Sequence, residues 1–336
     1  MAIHIETPVI ASRALSLRTG KDVRLKLETL QPSGSFKTRG IGHACEIYRS
    51  RGAKRFISSS GGNAGYAVAY AGRMLQTPVT VVVPASTSQR AQDLIRSEEA
   101  EGIVHGASWM EAHAHAQQLM TASDAFLHPF DDPFLWTGHA TMIDELARQG
   151  ERPDLVICSV GGGGLLCGVV EGLQRNGWGA VPVLAAETAG AESLAKAMEA
   201  GAPTLLPGIT SIATSLGARQ VCDRALALTR EHRIESVVVP DAAAVAACEE
   251  VLLEHRMLVE PACGASVAAL HSASPLLQQA QSVVVILCGG VGITARQLAQ
   301  CGHSRQGAGD RGVERPAHPH QHRVSRARLQ AIQRGI

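Results

Sequence analysis

The sequence predicts an α/β protein built on parallel β-sheets covered by helices. Three observations carry that expectation. Short runs rich in Val and Ile recur along the chain, helix-period segments separate most of them, and two of the runs end in Gly-, Ser- or Asn-rich loops directly before a helix. At 336 residues with 45% hydrophobic content, the chain can bury a sizeable core, and its length suits two domains or one large α/β domain. The formal charge of +1 gives no global reason to expect nucleic acid or an anionic membrane as a partner, so a small, near-neutral ligand fits better.

In chain order, strands are expected at 55–58, 79–83, 155–160, 181–185, 236–239 and 283–287, and loop-preceded helices at 66–75 and 165–175. The stretch 128–138 (HPFDDPFLWTG) carries two prolines, breaks the pattern and can return the chain from a smaller to a larger domain. From Cys301 the sequence turns polar, basic and His-rich, which reads as a disordered tail. His303, His318, His320 and His322 lack a Cys or acidic partner at metal-ligand spacing and read as solvated. The first ten residues lack a signal-peptide pattern, and no uninterrupted apolar run reaches the roughly eighteen residues that span a bilayer. The cysteines are dispersed without a C-x-x-C pair, as in a reducing compartment. A soluble, cytoplasmic protein is expected.

Chemistry concentrates in four segments. Gly161, Gly162, Gly163 and Gly164 follow a strand and open a helix, where unhindered backbone N–H groups and the helix dipole favour an anion such as a phosphate. The spacing matches neither the dinucleotide fingerprint nor the P-loop, although a tight turn without ligand would also use glycines. A phosphate-bearing cofactor that forms an imine needs a lysine. Of the five in the chain, Lys37 stands in PSGSFKTRG, beside Phe36 and between glycines, whereas Lys21, Lys26, Lys54 and Lys196 have surface-like surroundings. By itself a lysine in such a loop is commonly a solvated side chain. SSSGGNAG, with Ser60, Gly61 and Asn63, lies between a strand and a helix and can bind a carboxylate or phenolic oxygen, or serve only as a helix cap. Cys288 closes the last predicted strand in ILCGG, either as a buried structural thiol or facing a ligand.

Taken in order, PSGSFKTRG, SSSGGNAG, SVGGGGLLCG and ILCGG resemble the signature of the fold-type II pyridoxal-phosphate (PLP) enzymes, and in detail the L-serine/L-threonine dehydratases; PFDDP, ITSIATSLG and EPACG add to the resemblance, which runs from about residue 8 to 300. The resemblance implies two parallel-sheet domains with the active site in the cleft between them: a large PLP-binding domain of residues 1–34 and 136–300, and a small one of residues 35–135. It further implies that Lys37 binds the cofactor aldehyde as an imine and is catalytic together with Ser60. Phe36 would pack on the cofactor ring, Asn63 would bond its 3-oxygen, Gly161 to Gly164 would hold its phosphate, and Cys288 would face its ring nitrogen. Ser60, Gly61 and Asn63 would receive the substrate carboxylate. Gly161, Glu187, Ala191 and Leu216 would frame a monovalent cation, possible as K+. The implied reaction is β-elimination of water from L-serine to give pyruvate and ammonia, with L-threonine giving 2-oxobutanoate, in a homodimer. The competing readings are a β-replacement enzyme of the cysteine synthase type, separable by adding sulfide and O-acetylserine, and a non-catalytic PLP or amino-acid binder. Retention of Lys37, Ser60 and Asn63 together argues against the binder, which needs no base.

Overall fold

Strands and helices alternate through most of the chain in a computed structural model that describes residues 2–150 and 152–301. The strands are β1 (Val9–Ala11), β2 (Asp22–Lys26), β3 (Arg55–Ser58), β4 (Val79–Val83), β5 (Glu101–Val104), β6 (Asp124–Phe126), β7 (Leu155–Ser159), β8 (Val183–Thr188), β9 (Ile234–Val239) and β10 (Ser282–Ile286). The helices are α1 (Arg13–Thr19), α2 (Lys37–Ser50), α3 (Asn63–Leu75), α4 (Gln89–Ser97), α5 (Trp109–Gln118), α6 (Pro133–Gln149), α7 (Gly164–Arg175), α8 (Ser193–Ala200), α9 (Asp223–Glu231), α10 (Asp241–His255), α11 (Pro261–Ala268) and α12 (Pro275–Gln279). The basic tail and its four histidines lie outside the described residues.

The strands form two sheets, one ordered β1-β2-β10-β7-β8-β9 and the other β5-β4-β3-β6. Every pairing is parallel except the edge pair β1–β2. The expected parallel α/β architecture is therefore present, with one antiparallel edge strand added. Both sheets belong to one compact unit, Met1–Gly302. Continuous apolar strands occupy the interior because helices cover both faces of a parallel sheet: β4 (VTVVV), β7 (LVICS) and β8 (VLAAET) are buried at every position. One core surrounds the larger sheet, from Val23 and Leu25 through Ile157, Leu166 and Val285, and a second surrounds the smaller one, with Ile41, Phe56, Val68, Val81 and Leu135.

Several predicted boundaries move for physical reasons. The strand expected at 181–185 is Val183–Thr188, running on through Glu187 to pair with β9. The helix expected from residue 66 begins at Asn63, whose Gly62 neighbour supplies the extended N-cap backbone. The segment 128–138 is only half a connection: Asp132 caps α6 by accepting from the Phe134 N–H at 2.8 Å, and Pro133 takes the first helical position, where a missing N–H costs nothing. Lys26 corrects the expectation of a surface lysine. It is fully buried, donating to Glu145 Oε2 at 2.7 Å and to the Thr7 carbonyl at 2.6 Å.

What matters for the site is where strands end. Strand β10 is inserted between β2 and β7, so its carboxyl end, Leu287-Cys288, lies beside the ends of both. The next turn, 160–164, follows β7. In the smaller sheet the central strand β3 leads into the loop before Asn63, and its neighbour β6 leads into Pro129 and Phe130. Ligands of open α/β sheets bind at such carboxyl ends.

Candidate active site

Lys37 is the first residue of α2, and the loop that delivers it is tied to the end of β10. Ser35 and Gly289 form an antiparallel bridge, the Phe36 N–H donates to the Cys288 carbonyl at 3.0 Å, and the Gly290 N–H donates to the Gly34 carbonyl at 2.8 Å. Gly34 sits at φ +73°, and a Cβ there would lie 2.6 Å from Val291 Cγ1, so both its conformation and its packing require glycine. Ser33 and Thr38 hydroxyls, 2.6 Å apart, close the loop on itself. Phe36 packs 4.8 Å from the His139 ring, and the Lys37 ammonium lies 5.0 Å from the Phe36 centroid.

The Lys37 Nζ donates to the Pro129 carbonyl at 2.5 Å, and no carboxylate accompanies it. Burial therefore dominates and brings its pKa down from 10.5 to about 8, with Cys288 and Cys222 opposing weakly. Such a lysine holds a substantial neutral fraction near physiological pH, as an imine-forming base requires.

The four-glycine segment lies nearby through Phe130, the residue after Pro129. Ideal Cβ atoms at Gly162 and Gly164 would meet the Phe130 ring at 2.2 Å and its carbonyl at 2.6 Å, and Gly163, at φ +93°, would press on Ala225 at 2.5 Å. Carbonyls of the segment are used internally: Gly162 accepts from the Cys222 N–H at 3.0 Å and Gly161 from the Ser193 hydroxyl at 3.2 Å. Among the described residues, the N–H groups of Gly161 to Gly164 have no protein acceptor. Four orphan donors at the N-terminus of α7 form a cradle that suits the phosphate of PLP.

Asn63, the first residue of α3, reaches from the smaller sheet to residues that follow the larger one. Its Oδ1 accepts from the Val291 N–H at 3.0 Å, and its Nδ2 donates to Glu260 Oε1 at 2.7 Å and to Ser215 Oγ at 3.3 Å. Ser60 and Gly61 lie on the same loop. The Ser60 hydroxyl accepts only a long bond from the Gly62 N–H at 3.4 Å, and a Cβ on Gly61 would meet Thr87 at 2.7 Å. No hydrogen bond joins Ser60 or Gly61 to Lys37 among the described residues. Cys288 is buried, with Sγ 4.0 Å from Ser159 Oγ. Its interaction with Cys263, together with burial, pushes its pKa well above the usual thiol value, so it stands as a neutral thiol.

The four residues expected around a cation have the following surroundings. Gly161 and Leu216 are in close contact, an ideal Gly161 Cβ lying 2.8 Å from Leu216 Cα. The Glu187 carboxylate instead caps α8, accepting the Leu194 and Ala195 N–H groups at 2.8 Å each and the Ser236 hydroxyl at 2.7 Å. Burial raises its pKa to about 7 against those donors. Ala191 is fully buried and donates its N–H to Thr188. Among the described residues no group of three or more His, Cys, Asp or Glu is placed to hold a metal, and no helix is long and apolar enough to cross a membrane.

Two residues enter the site without a role assigned from sequence. Phe130, one of only five phenylalanines, covers the glycine cradle. Glu260, 5% exposed, holds the Asn63 amide. The available signal for Glu260 was a single carboxylate in the otherwise apolar stretch LVEPACG, which marks a buried acid with specific donors.

Residues 2–289 match the family described as "Pyridoxal-phosphate dependent enzyme". The chain is 46% identical over 309 residues to human "L-serine dehydratase/L-threonine deaminase", covering 88% of this chain and 94% of that protein. It is 40% identical over 317 residues to "L-serine dehydratase" of Dictyostelium discoideum, covering 88% and 91%. Among solved structures, a fungal L-serine ammonia-lyase from Rhizomucor miehei superposes with a TM-score of 0.85 at 34% identity, covering 90% of this chain and 98% of that one.

Proposed function

The chain belongs to the pyridoxal-phosphate dependent enzymes, and on that premise we propose that it is an L-serine/L-threonine ammonia-lyase acting through Lys37. The observation that carries this reading is the convergence of three features. A partly buried lysine without a carboxylate partner is fixed to the end of β10. An unpartnered N–H cradle lies one residue's reach away through Pro129 and Phe130, and Asn63 reaches from the smaller sheet to Val291, just past the Cys288–Gly290 turn that anchors the lysine loop.

Bound through its aldehyde carbon, PLP draws electrons from the substrate Cα and so acidifies the proton there. Lys37 is the residue placed to hold the cofactor and then, as a free amine, to take that proton. Gly161 to Gly164 would hold the phosphate, Phe36 would pack on the ring, and Cys288, a neutral thiol, would offer the ring nitrogen no strong acid. Ser60, Gly61 and Asn63 would receive the substrate carboxylate, Asn63 through its backbone N–H because its side chain is engaged elsewhere, leaving Lys37 to take the Cα proton. The β-hydroxyl leaves with a proton as water, and water returns on hydrolysis, so L-serine yields pyruvate and ammonia and L-threonine yields 2-oxobutanoate and ammonia. Residues 1–34 and 136–300 serve as the PLP-binding domain and residues 35–135 as the smaller one. We assign a homodimer in the cytoplasm, and a monovalent cation such as K+ framed by Gly161, Glu187, Ala191 and Leu216.

The test is an absorbance spectrum of the purified protein before and after L-serine, with 2-oxo acid followed in the same sample. A visible cofactor band that changes with serine as pyruvate accumulates, and that is lost in Lys37→Ala, is the expected result. A colourless protein that stays inactive with added PLP would overturn the assignment.

A further inference from the structure

Asn63 is held at both ends. A backbone N–H can only donate, so the atom facing Val291 must be Oδ1, at 3.0 Å. The opposite end, Nδ2, then meets Glu260 Oε1 at 2.7 Å. Glu260 is itself fixed. Its Oε2 accepts from the Gly292 N–H at 3.2 Å, and the neighbouring Ser215 side chain favours the charged carboxylate. The backbone passes so close at Gly290 that a Cβ there would fall 2.0 Å from Glu260 Cδ. The carboxylate thus packs directly against this glycine backbone. Its two hydrogen-bond donors, Asn63 and Gly292, are neutral, and burial raises its pKa despite them.

An amide nitrogen carries two hydrogens. One is directed at Glu260, and the other has only the long Ser215 contact at 3.3 Å, leaving it available to a ligand. The oxygen is engaged by Val291. Resting on the reading that Asn63 contacts the cofactor's 3-oxygen, we propose that Glu260 is a positioning residue whose carboxylate, opposite the Val291 N–H, locks the Asn63 amide so that it offers that oxygen only an N–H donor. A fixed donor at this place favours the 3-oxygen in its anionic form, the stronger acceptor, over a protonated one.

The experiment compares wild type, Asn63→Ala, Glu260→Gln and the double variant. It reads the dissociation constant of PLP titrated into apoprotein and the position of the visible band of the loaded protein, with thermal unfolding of each apoprotein as the check on folding. Glu260→Gln is near-isosteric but can present a competing N–H to Asn63. Each single variant is expected to bind PLP about tenfold more weakly and to move the band, and the double variant to be no weaker than Asn63→Ala, because Glu260 acts through Asn63. Wild-type binding and an unmoved band in Glu260→Gln, beside a weakened Asn63→Ala, would overturn this inference and leave the assignment of Asn63 standing. Fully multiplying effects in the double variant would also overturn it. An unaffected Asn63→Ala would remove the underlying contact. Should Glu260→Gln fail to fold, Glu260→Asp, which keeps the charge but falls short of Asn63, carries the same expectation and the same test.

Discussion

Lys37 and Lys26 are both removed from water, yet only one suits imine chemistry. The Lys26 ammonium rests 2.7 Å from the Glu145 carboxylate, which stabilises its charge, whereas Lys37 has a carbonyl and two thiols as neighbours. In the apoprotein, labelling of Lys37 by an amine-directed reagent is expected to rise with pH about a midpoint near 8 instead of the ordinary 10.5, as quantified by peptide mass spectrometry. The sign follows for stability as well. Between those two values the unfolded chain binds the extra proton, so the Lys37 contribution to apoprotein stability increases with pH across that window. Lys37 was legible in the sequence because glycines, serines and an aromatic flank it locally. Glu260 was not, because its decisive partners are 197 and 32 positions away. Lys26 misled for the same reason: its burial depends on Glu145, 119 positions distant, while its own segment (DVRLK) looks exposed.

The N-terminal end of α2 is anchored by a buried ionic group. Arg39, two residues after Lys37, is fully buried and bonds Glu28 through Nε at 2.6 Å and Nη2 at 2.8 Å. It also reaches both Glu145 oxygens at 2.6 Å. With Lys26 the group balances two cations against two carboxylates and joins β2, the turn Glu28–Leu30, α2 and α6. Removing one member strands the others without compensation. Arg39→Leu is expected to cost about 3–5 kcal/mol in urea unfolding, far beyond the typical effect of an exposed ion pair such as Arg148–Glu6. At the opposite element, Gly162→Ala must displace the Phe130 ring from the mouth of α7. Weakened PLP retention on dialysis, with the secondary structure intact by circular dichroism, is the expected outcome. Long apolar strands such as β4 and β7 were readable because both faces are covered. The short β1, β2, β5 and β6 are not legible: two or three apolar positions, beside a charge in all but β1, carry little periodic signal, and pairing alone defines them.

At the scale of the whole molecule, the proposed cofactor contacts come from both sheets: Asn63 from the smaller, Cys288 and the glycine cradle from the larger. PLP should therefore stabilise the fold as a unit. Its addition at about a hundredfold excess over the dissociation constant is expected to contribute ~2.7 kcal/mol, seen as a concentration-dependent rise in melting temperature that Lys37→Ala diminishes. The parallel α/β plan was recoverable from sequence because alternation of strands and helices is a local pattern. The order of strands within each sheet was not, since it is decided by packing between distant segments. One such arrangement has a bearing on biogenesis. Strand β10, an interior strand of the larger sheet, is the last of the described strands to be synthesised, although its partner β2 emerges among the first. The lysine loop finds Cys288 and Gly289 only after that insertion. A nascent chain on the ribosome thus carries its reactive amine long before it has a place to put it, and the competence to capture cofactor arrives late in translation rather than growing with length.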